Sequence, residues 1–179
     1  MGTKRITLDE LRQLAARARG NIDKIYLHWS AGNYHQFFSD YHLNIDSDGA
    51  VMATTDDLTE YKAHTWWRNS RAIGIALACC VDAVAYADGR VNFGNVPPTE
   101  LQIDNMAKVV AVLCEELRLD INAGTVMTHA EAADLDDYGP ATTFERWDLW
   151  KLPDIPGDGK LKPGGDVIRG KAIWWHHNW

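Results

Sequence analysis

The sequence predicts a single α/β domain in which helices cover a central mixed β-sheet. Three observations predict this fold class. The chain has 179 residues, a length that suits one domain. Hydrophobic residues make up 46% and charged residues 24% of the chain, which is typical of a globular protein. Short apolar segments also alternate with amphipathic helical segments, as they do in a sheet that packs against helices.

The predicted helices follow recognisable start signals. Thr7 and Glu10 fit the pattern in which a threonine and a glutamate three residues later cap the start of a helix. Apolar residues at helical spacing extend this helix from Leu8 to Arg19. A longer helix follows Pro97-Pro98 and runs to about Leu119 with one apolar face. A last helix is predicted over residues 166–179.

Short apolar segments between turn residues predict the strands. Residues 72–81 form a continuous apolar run, which is typical of a strand buried on both faces. The Asp-Ser-Asp-Gly sequence at residues 46–49 predicts the turn of a hairpin. By contrast, residues 130–145 are rich in acidic residues and contain a Gly-Pro pair, so a long loop is predicted there. The predicted strands are residues 24–29, 41–45, 50–53, 72–81 and 125–129.

The C-terminal segment has a different composition from the rest. Residues 151–165 contain three prolines and four glycines, which predicts an extended connector. The fourteen residues that follow are too few to form a core of their own. We therefore expect a catalytic domain over residues 1–152 and a C-terminal extension over residues 153–179, packed on the same domain through Trp174 or Trp175.

Charge and composition disfavour several kinds of partner. The 18 Lys and Arg residues against 25 Asp and Glu residues give a net charge of −7, so no nucleic acid is expected to bind. No apolar run is long enough to cross a bilayer, so no membrane insertion is expected. The N-terminal residues lack an apolar signal segment, which predicts synthesis in the cytoplasm without a signal peptide. Cys79, Cys80 and Cys114 are predicted to be buried free thiols, and the chain is expected to be a monomer.

Two histidines stand at the ends of short apolar strands. His28 and His129 each precede a loop, and strands of one sheet can bring such ends together. Two converging imidazoles suit a zinc site, which takes three or four nitrogen, oxygen or sulfur ligands. Spacing alone leaves a structural role open for either histidine.

Eight tryptophans are an unusual number for this length. Indole rings stack on sugars and flat ligands, and they also fill protein cores, so both roles stay open for each of them.

Several short motifs occur in a defined order along residues 24–150. They are Tyr26-Leu27-His28-Trp29-Ser30-Ala31, Tyr41-His42-Leu43-Asn44-Ile45, Ala63-His64-Thr65, Asn69-Ser70-Arg71-Ala72-Ile73-Gly74-Ile75, Thr128-His129-Ala130-Glu131 and Arg146-Trp147-Asp148-Leu149-Trp150. In this order they resemble the zinc-dependent N-acetylmuramoyl-L-alanine amidases, which are related to peptidoglycan recognition proteins. The resemblance implies one zinc ion per chain in a surface groove, and hydrolysis of the amide between N-acetylmuramic acid and L-alanine in peptidoglycan or a muropeptide.

The resemblance also implies a ligand set. His28 and His129 match the two histidine ligands of the family. Asp148 matches the third ligand, because Arg146 stands two positions before it, where the family places a basic or hydroxyl residue. The gap between His129 and Asp148 is about twice the usual one. Three acids of the intervening segment therefore stay open as alternatives: Asp134, Asp136 and Asp137.

Catalytic and binding residues follow from the same resemblance. Tyr41 matches a tyrosine that one branch of the family uses beside the metal, and we expect Tyr41 and Arg146 to stabilise the oxyanion. Glu131 is a candidate for a hydrogen bond or salt bridge beside the metal site, or for a general base. The glutamate used by another branch is missing, because Ala76 follows Ile73-Gly74-Ile75. The candidates for substrate binding are Trp29, His64, Trp66, Trp67, Asn69 and Trp147.

The biological role implied by the resemblance is that of a phage or prophage endolysin, which reaches the cell wall after release by a holin or by lysis. Two alternatives stay open. One is a cytoplasmic amidase that recycles muropeptides, and the other is a non-catalytic peptidoglycan-binding module of the same fold.

Overall fold

The computed structural model describes residues 2–155 and 157–179, with a six-stranded sheet as the central element. In chain order the elements are β1 (Lys4–Ile6), α1 (Leu8–Ala18), β2 (Lys24–Trp29), β3 (Leu43–Ile45), β4 (Val51–Ala53), β5 (Ala72–Leu77), β6 (Val84–Ala85), β7 (Val91–Asn92), α2 (Glu100–Leu117), β8 (Val126–Thr128), α3 (His129–Leu135), β9 (Lys151–Pro153), β10 (Leu161–Pro163) and α4 (Gly164–Asn178).

The central sheet is mixed. Its strand order is β1-β4-β3-β5-β2-β8. Strand β2 runs parallel to both β5 and β8, and β3 runs parallel to β5, whereas β4 is antiparallel to β1 and β3. Helices α1, α2 and α4 contribute to the main core, while α3 packs against β8 and β2. The predicted fold class, a mixed sheet covered by helices, is confirmed.

The alternation of side chains along β2 separates the core from the opposite face of the sheet. Ile25, Leu27 and Trp29 belong to the main core with residues of α1, α2 and α4. Successive strand residues point to opposite faces, so Tyr26 and His28 lie on the other face, where Tyr26 packs with residues of β5, β8 and α3. A polar site can therefore form there without disturbing the main core.

A glycine in β5 makes room on that second face. Gly74 lies against the imidazole of His64, and a Cβ atom at this position would come within 2.5 Å of His64 Cδ2. The backbone N–H of Gly74 also donates to His42 Nδ1 at 3.0 Å. Only a residue without a side chain allows an imidazole to pack so closely on the strand.

The prediction of a loop over residues 130–145 is wrong in its first part, because α3 spans His129–Leu135. The Thr128 side chain accepts from the N–H of Glu131, and the Glu131 carboxylate accepts from the N–H of Thr128. This reciprocal capping starts a helix that the alanines then continue. The remaining residues of the segment form turns.

Other differences from the predicted elements concern short strands. Strand β5 ends at Leu77, and Cys80 beyond it has a left-handed backbone with φ of 72°. The predicted connector over residues 151–165 contains the hairpin of β9 and β10. Strands β1, β6 and β7 lie outside the predicted strands.

Helix α4 packs against α2, and its tryptophans have different surroundings. Trp175 packs against the main core with Lys108 Nζ 4.4 Å from its ring centre, whereas Trp174 is 56% exposed. The division of the chain after residue 152 stays a prediction. The three cysteines are buried and free, as predicted. Within the described residues, none of the helices combines the length and apolar character that a bilayer span requires.

Candidate metal centre and groove

Three buried side chains meet near the ends of parallel strands β2 and β8. His28 lies near the end of β2, His129 is the first residue of α3 directly after β8, and Asp148 lies in the segment between α3 and β9. His28 Nδ1 is 3.1 Å from His129 Nδ1 and 3.0 Å from Asp148 Oδ2. His129 Nδ1 is 3.2 Å from Asp148 Oδ1. The structure thus brings together the three residues that the sequence assigned as ligands.

The chemistry and spacing of these atoms fit a small metal ion. A tetrahedral ion with bonds of about 2.0–2.2 Å needs ligand atoms roughly 3.3–3.6 Å apart, close to the spacing of these three donors. Two imidazole nitrogens and a carboxylate that face one point repel each other through their lone pairs unless a cation or a proton lies between them. The group can therefore hold a metal ion.

The second nitrogen of each imidazole has its own partner. His28 Nε2 lies 3.2 Å from Thr65 Oγ1, and His129 Nε2 lies 3.3 Å from the Tyr138 hydroxyl. With the ring proton on Nε2, both bonds orient the rings and leave each Nδ1 lone pair free for a metal. Sequence reasoning missed Thr65 and Tyr138, although Thr65 directly follows His64 in a recognised motif.

Burial and charge shift the pKa values of two of the candidate ligands, His28 and Asp148. Burial lowers the pKa of His28 to about 4, against the opposing effect of its hydrogen bond to Asp148. Burial on its own raises the pKa of Asp148, but the neighbouring His129 and His28 outweigh it and hold the pKa below its usual range. A neutral imidazole and an ionised carboxylate are the forms that bind metals.

Two open cavities, which together we call the groove, share His64, His129 and Arg146. The Trp66 arm is the cavity of about 520 Å³ that also contacts Trp66, Asn69 and Tyr138. The Tyr41 arm is the cavity of about 440 Å³ that also contacts Trp29, Asp40, Tyr41, Trp147 and Asp148. An extended molecule can therefore pass over the candidate metal centre and occupy both arms.

Tyr41 and Arg146 lie beside the candidate metal centre. The ring centre of Tyr41 is 5.0 Å from that of His28. Burial raises the pKa of Tyr41 above its ordinary value, and the Asp148 carboxylate adds to the effect, so the phenol keeps its proton at neutral pH. Arg146 is exposed, contacts both arms and donates to the Glu145 carbonyl oxygen at 3.1 Å.

Trp66, which lines the Trp66 arm, stacks on Trp67, which lies outside the residues that line this cavity. The ring centres of Trp66 and Trp67 are 4.5 Å apart at 26°, and Trp67 is 82% exposed with a left-handed φ of 65°. Arg68 forms two hydrogen bonds, of 2.7 and 2.9 Å, with the Asp136 carboxylate. Asn69 Oδ1 accepts from the N–H groups of His64 and Thr65. These bonds hold the exposed pair in a defined position.

The remaining predicted binding residues are more enclosed. Trp29 is 5% exposed and meets the Trp147 ring edge-on at 5.4 Å, so Trp29 contributes to the base of the Tyr41 arm. His64 is buried, and its Nδ1 is 2.9 Å from Thr65 Oγ1. Its Nε2 has no hydrogen-bond partner among the described residues. Burial lowers the pKa of His64 to about 2, so its ring is neutral.

Glu131 and two of the three alternative ligands, Asp134 and Asp136, have partners of their own. Glu131 forms a two-bond ion pair with Arg169, at 2.9 and 2.8 Å. Asp134 Oδ1 accepts from the N–H of Ala141, and Asp136 pairs with Arg68. These contacts favour Asp148 over Asp134 and Asp136 as the third ligand, and the converging group contains Asp148 but not Asp137.

The fold and the site define a hydrolase with a candidate metal centre beneath an open groove. The family model for N-acetylmuramoyl-L-alanine amidase matches residues 15–143, well over half of the chain. The chain therefore belongs to the N-acetylmuramoyl-L-alanine amidase family, as the motifs indicated, and its enzyme class is that of a peptidoglycan amidase. No curated protein matches the sequence.

One solved structure with similarity is the endolysin N-acetylmuramoyl-L-alanine amidase LysCS from Clostridium intestinale URNW. It is 16% identical, and the alignment covers 61% of this chain and 69% of that chain with a TM-score of 0.41.

The metal content of purified variants should show whether Asp148 or one of the acids at residues 134–137 is the third ligand. Asp148→Ala removes one of three donors, so the purified protein is expected to lose its metal, because a three-ligand centre cannot spare one. Asp137→Ala is the matched control and is expected to retain one ion per chain. Plasma mass spectrometry after gel filtration measures both. Loss of metal from Asp134→Ala, Asp136→Ala or Asp137→Ala, with retention in Asp148→Ala, would contradict the assignment.

Proposed function

We propose that this protein is a zinc-dependent amidase that cleaves the bond between the lactyl group of N-acetylmuramic acid and L-alanine, and that it acts as a phage or prophage endolysin. One observation supports this reaction above all: the buried donor atoms of His28, His129 and Asp148 converge beneath the groove. Membership of the amidase family supports the substrate class.

The three converging side chains would hold the zinc ion. When bound, a zinc ion with three protein ligands lowers the pKa of a water molecule in its remaining position to about 7 and polarises a carbonyl oxygen. Thr65 and Tyr138 keep the two imidazoles in orientation through their hydrogen bonds. Asp148 supplies the negative charge that partly balances the ion.

Tyr41 and Arg146 would stabilise the transition state. As the amide carbonyl becomes tetrahedral, negative charge develops on its oxygen and needs donors that are already in place. The phenol of Tyr41 keeps its proton, so it can donate a hydrogen bond to that oxygen but is a poor base. A guanidinium group is a permanent cation, so Arg146 can stabilise charge but cannot move protons.

The two arms of the groove would hold the two parts of the substrate. Exposed indole faces stack well on sugar rings, so we assign the glycan to Trp66 and Trp67, with Asn69 and His64 beside it. Trp29 and Trp147 contact the other arm, which we assign to the stem peptide. The scissile amide then lies over the candidate metal centre.

A non-catalytic binding module of the same fold is the main alternative. Such a module needs neither a ligand set nor donors for an oxyanion. This chain has three converging ligand atoms, with Tyr41 and Arg146 next to them, which supports catalysis instead.

Digestion of purified peptidoglycan with and without a chelator tests the proposed function. The expected product is a free N-terminal L-alanine with an intact glycan strand, detected by mass spectrometry. The product should disappear with chelator and return with added zinc, because the ion would activate the attacking water. New reducing sugar ends would instead indicate a glycosidase. Cleavage of soluble muropeptides without cleavage of intact sacculi would contradict the endolysin role and support recycling.

Tyr41→Phe should lower turnover without removing the metal. The change deletes only one hydroxyl, and the loss of a single donor to an oxyanion reduces the rate by roughly 10²–10³-fold. Steady-state hydrolysis of a muropeptide, with zinc content measured in parallel, checks this. Tyr86→Phe, on the separate hairpin of β6 and β7, is the matched control. Equal rates for the two variants would remove Tyr41 from the mechanism.

Trp67→Ala should weaken binding of substrates that carry a glycan. Loss of one stacking partner is expected to raise KM by roughly 2- to 10-fold on glycan-bearing substrates, with kcat unchanged. Trp174→Ala removes another exposed tryptophan, on α4, and serves as the control. Isothermal titration with chitooligosaccharides provides a second measure. An unchanged KM in Trp67→Ala would contradict the assignment of the Trp66 arm to the glycan.

A further inference from the structure

We propose that the start of α4 positions the metal centre: Arg169 and the Gly164-Gly165 pair hold the two segments that carry His129 and Asp148, and so set the affinity of the chain for its metal ion. The inference rests on the proposed metal site, but it concerns residues outside the groove. It assigns Arg169 as a positioning residue.

Arg169 forms hydrogen bonds on both sides of His129, with a backbone carbonyl before it and a side-chain carboxylate after it. Its side chain is only 9% exposed, although it belongs to a helix. One guanidinium nitrogen donates to the Val126 carbonyl oxygen in β8 at 2.9 Å and to Glu131 Oε1 at 2.9 Å. The other donates to Glu131 Oε2 at 2.8 Å. Arg169 thus connects the end of β8 to the first turn of α3, and His129 lies between these two points.

The carboxylate of Glu131 accepts hydrogen bonds from two different residues. Besides pairing with Arg169, it accepts the N–H of Thr128, the residue that caps α3. Loss of the guanidinium leaves the half-buried carboxylate without its partner and the Val126 carbonyl without its donor. Unpaired buried polar groups are costly, so the first turn of α3 is expected to move toward water, and His129 moves with it.

The two glycines bring α4 against the segment that carries Asp148. The N–H of Gly164 donates to the Trp150 carbonyl oxygen at 2.9 Å. A Cβ atom at Gly164 would overlap the carbonyl oxygen of Leu149, the residue after Asp148, and one at Gly165 would overlap the Glu131 carboxylate. The same helical turn therefore contacts both ligand-bearing segments. Small displacements are expected to matter, because residues that support metal ligands affect affinity by roughly 10- to 100-fold.

Helix α4 also provides a matched control. Lys171, two residues after Arg169, pairs with Asp104 of α2 at 3.3 Å. This ion pair attaches the same helix to the core by way of α2 and involves neither ligand-bearing segment. Lys171→Met therefore removes a charged pair from α4 without changing the contacts of Glu131, Val126 or Leu149.

The test is the zinc dissociation constant of full-length variants, measured by competition with a chromophoric chelator, with the folded fraction measured by circular dichroism. Arg169→Met is expected to weaken zinc binding by roughly 10- to 100-fold relative to Lys171→Met. Arg169→Lys is expected to be intermediate, because an ammonium group cannot reproduce the planar two-bond pairing. A partial rescue of this kind would not follow from lost helix packing alone.

Equal zinc affinity in Arg169→Met, Lys171→Met and the unaltered chain would overturn the proposal and leave Arg169 a purely structural residue. If Arg169→Met does not fold, the zinc dissociation constant of Glu131→Gln tests the proposal instead. Glutamine keeps the acceptor for the Thr128 N–H but loses the charged pair with Arg169. Unaltered affinity in Glu131→Gln would then overturn the proposal. An unaltered chain that binds no zinc would refute the metal site itself, which is a different failure.

Discussion

The position of β2 between two parallel neighbours is the constraint on which the site depends. Leu27 pairs with Thr128 in the ladder between β2 and β8, so the residues that follow, His28 and His129, lie side by side. The two histidines are far apart in the sequence. A shift of one residue in the pairing of β2 with β8 would move one imidazole to the other face of the sheet, and the two rings would not meet. The same alternation places His28 on the face opposite the main core, where Gly74 leaves space for a second ring.

Much of this arrangement could be predicted from the sequence. The apolar run of β2 and the matching positions of His28 and His129 indicated that two imidazoles would meet, and the resemblance to the amidase family, through the context of Arg146, indicated Asp148. The fold class followed from the alternation of strands and helices. These features depend on local patterns of a few residues, which a single sequence displays.

The parts that could not be predicted depend on contacts between distant segments. Thr65 and Tyr138 support the imidazoles through hydrogen bonds that obey no spacing rule, and Arg169 reaches Glu131 across 38 positions. The start of α3 differs from the prediction for another reason: the acidic residues and the Gly-Pro pair of residues 130–145 indicate a loop, whereas the Thr128 and Glu131 capping pair starts a helix.

The order of these parts along the chain has a consequence for biosynthesis. A ribosome makes β2, β5 and β8 before it makes Asp148, and it makes Arg169 after all three candidate ligands. Growing chains fold from the N-terminus onward, so the sheet can form while the centre still lacks its last donor and the helix that supports it. The three candidate ligands can therefore converge only after Asp148 has been made, and a chain that stops before this residue has the sheet but not the complete set of donors.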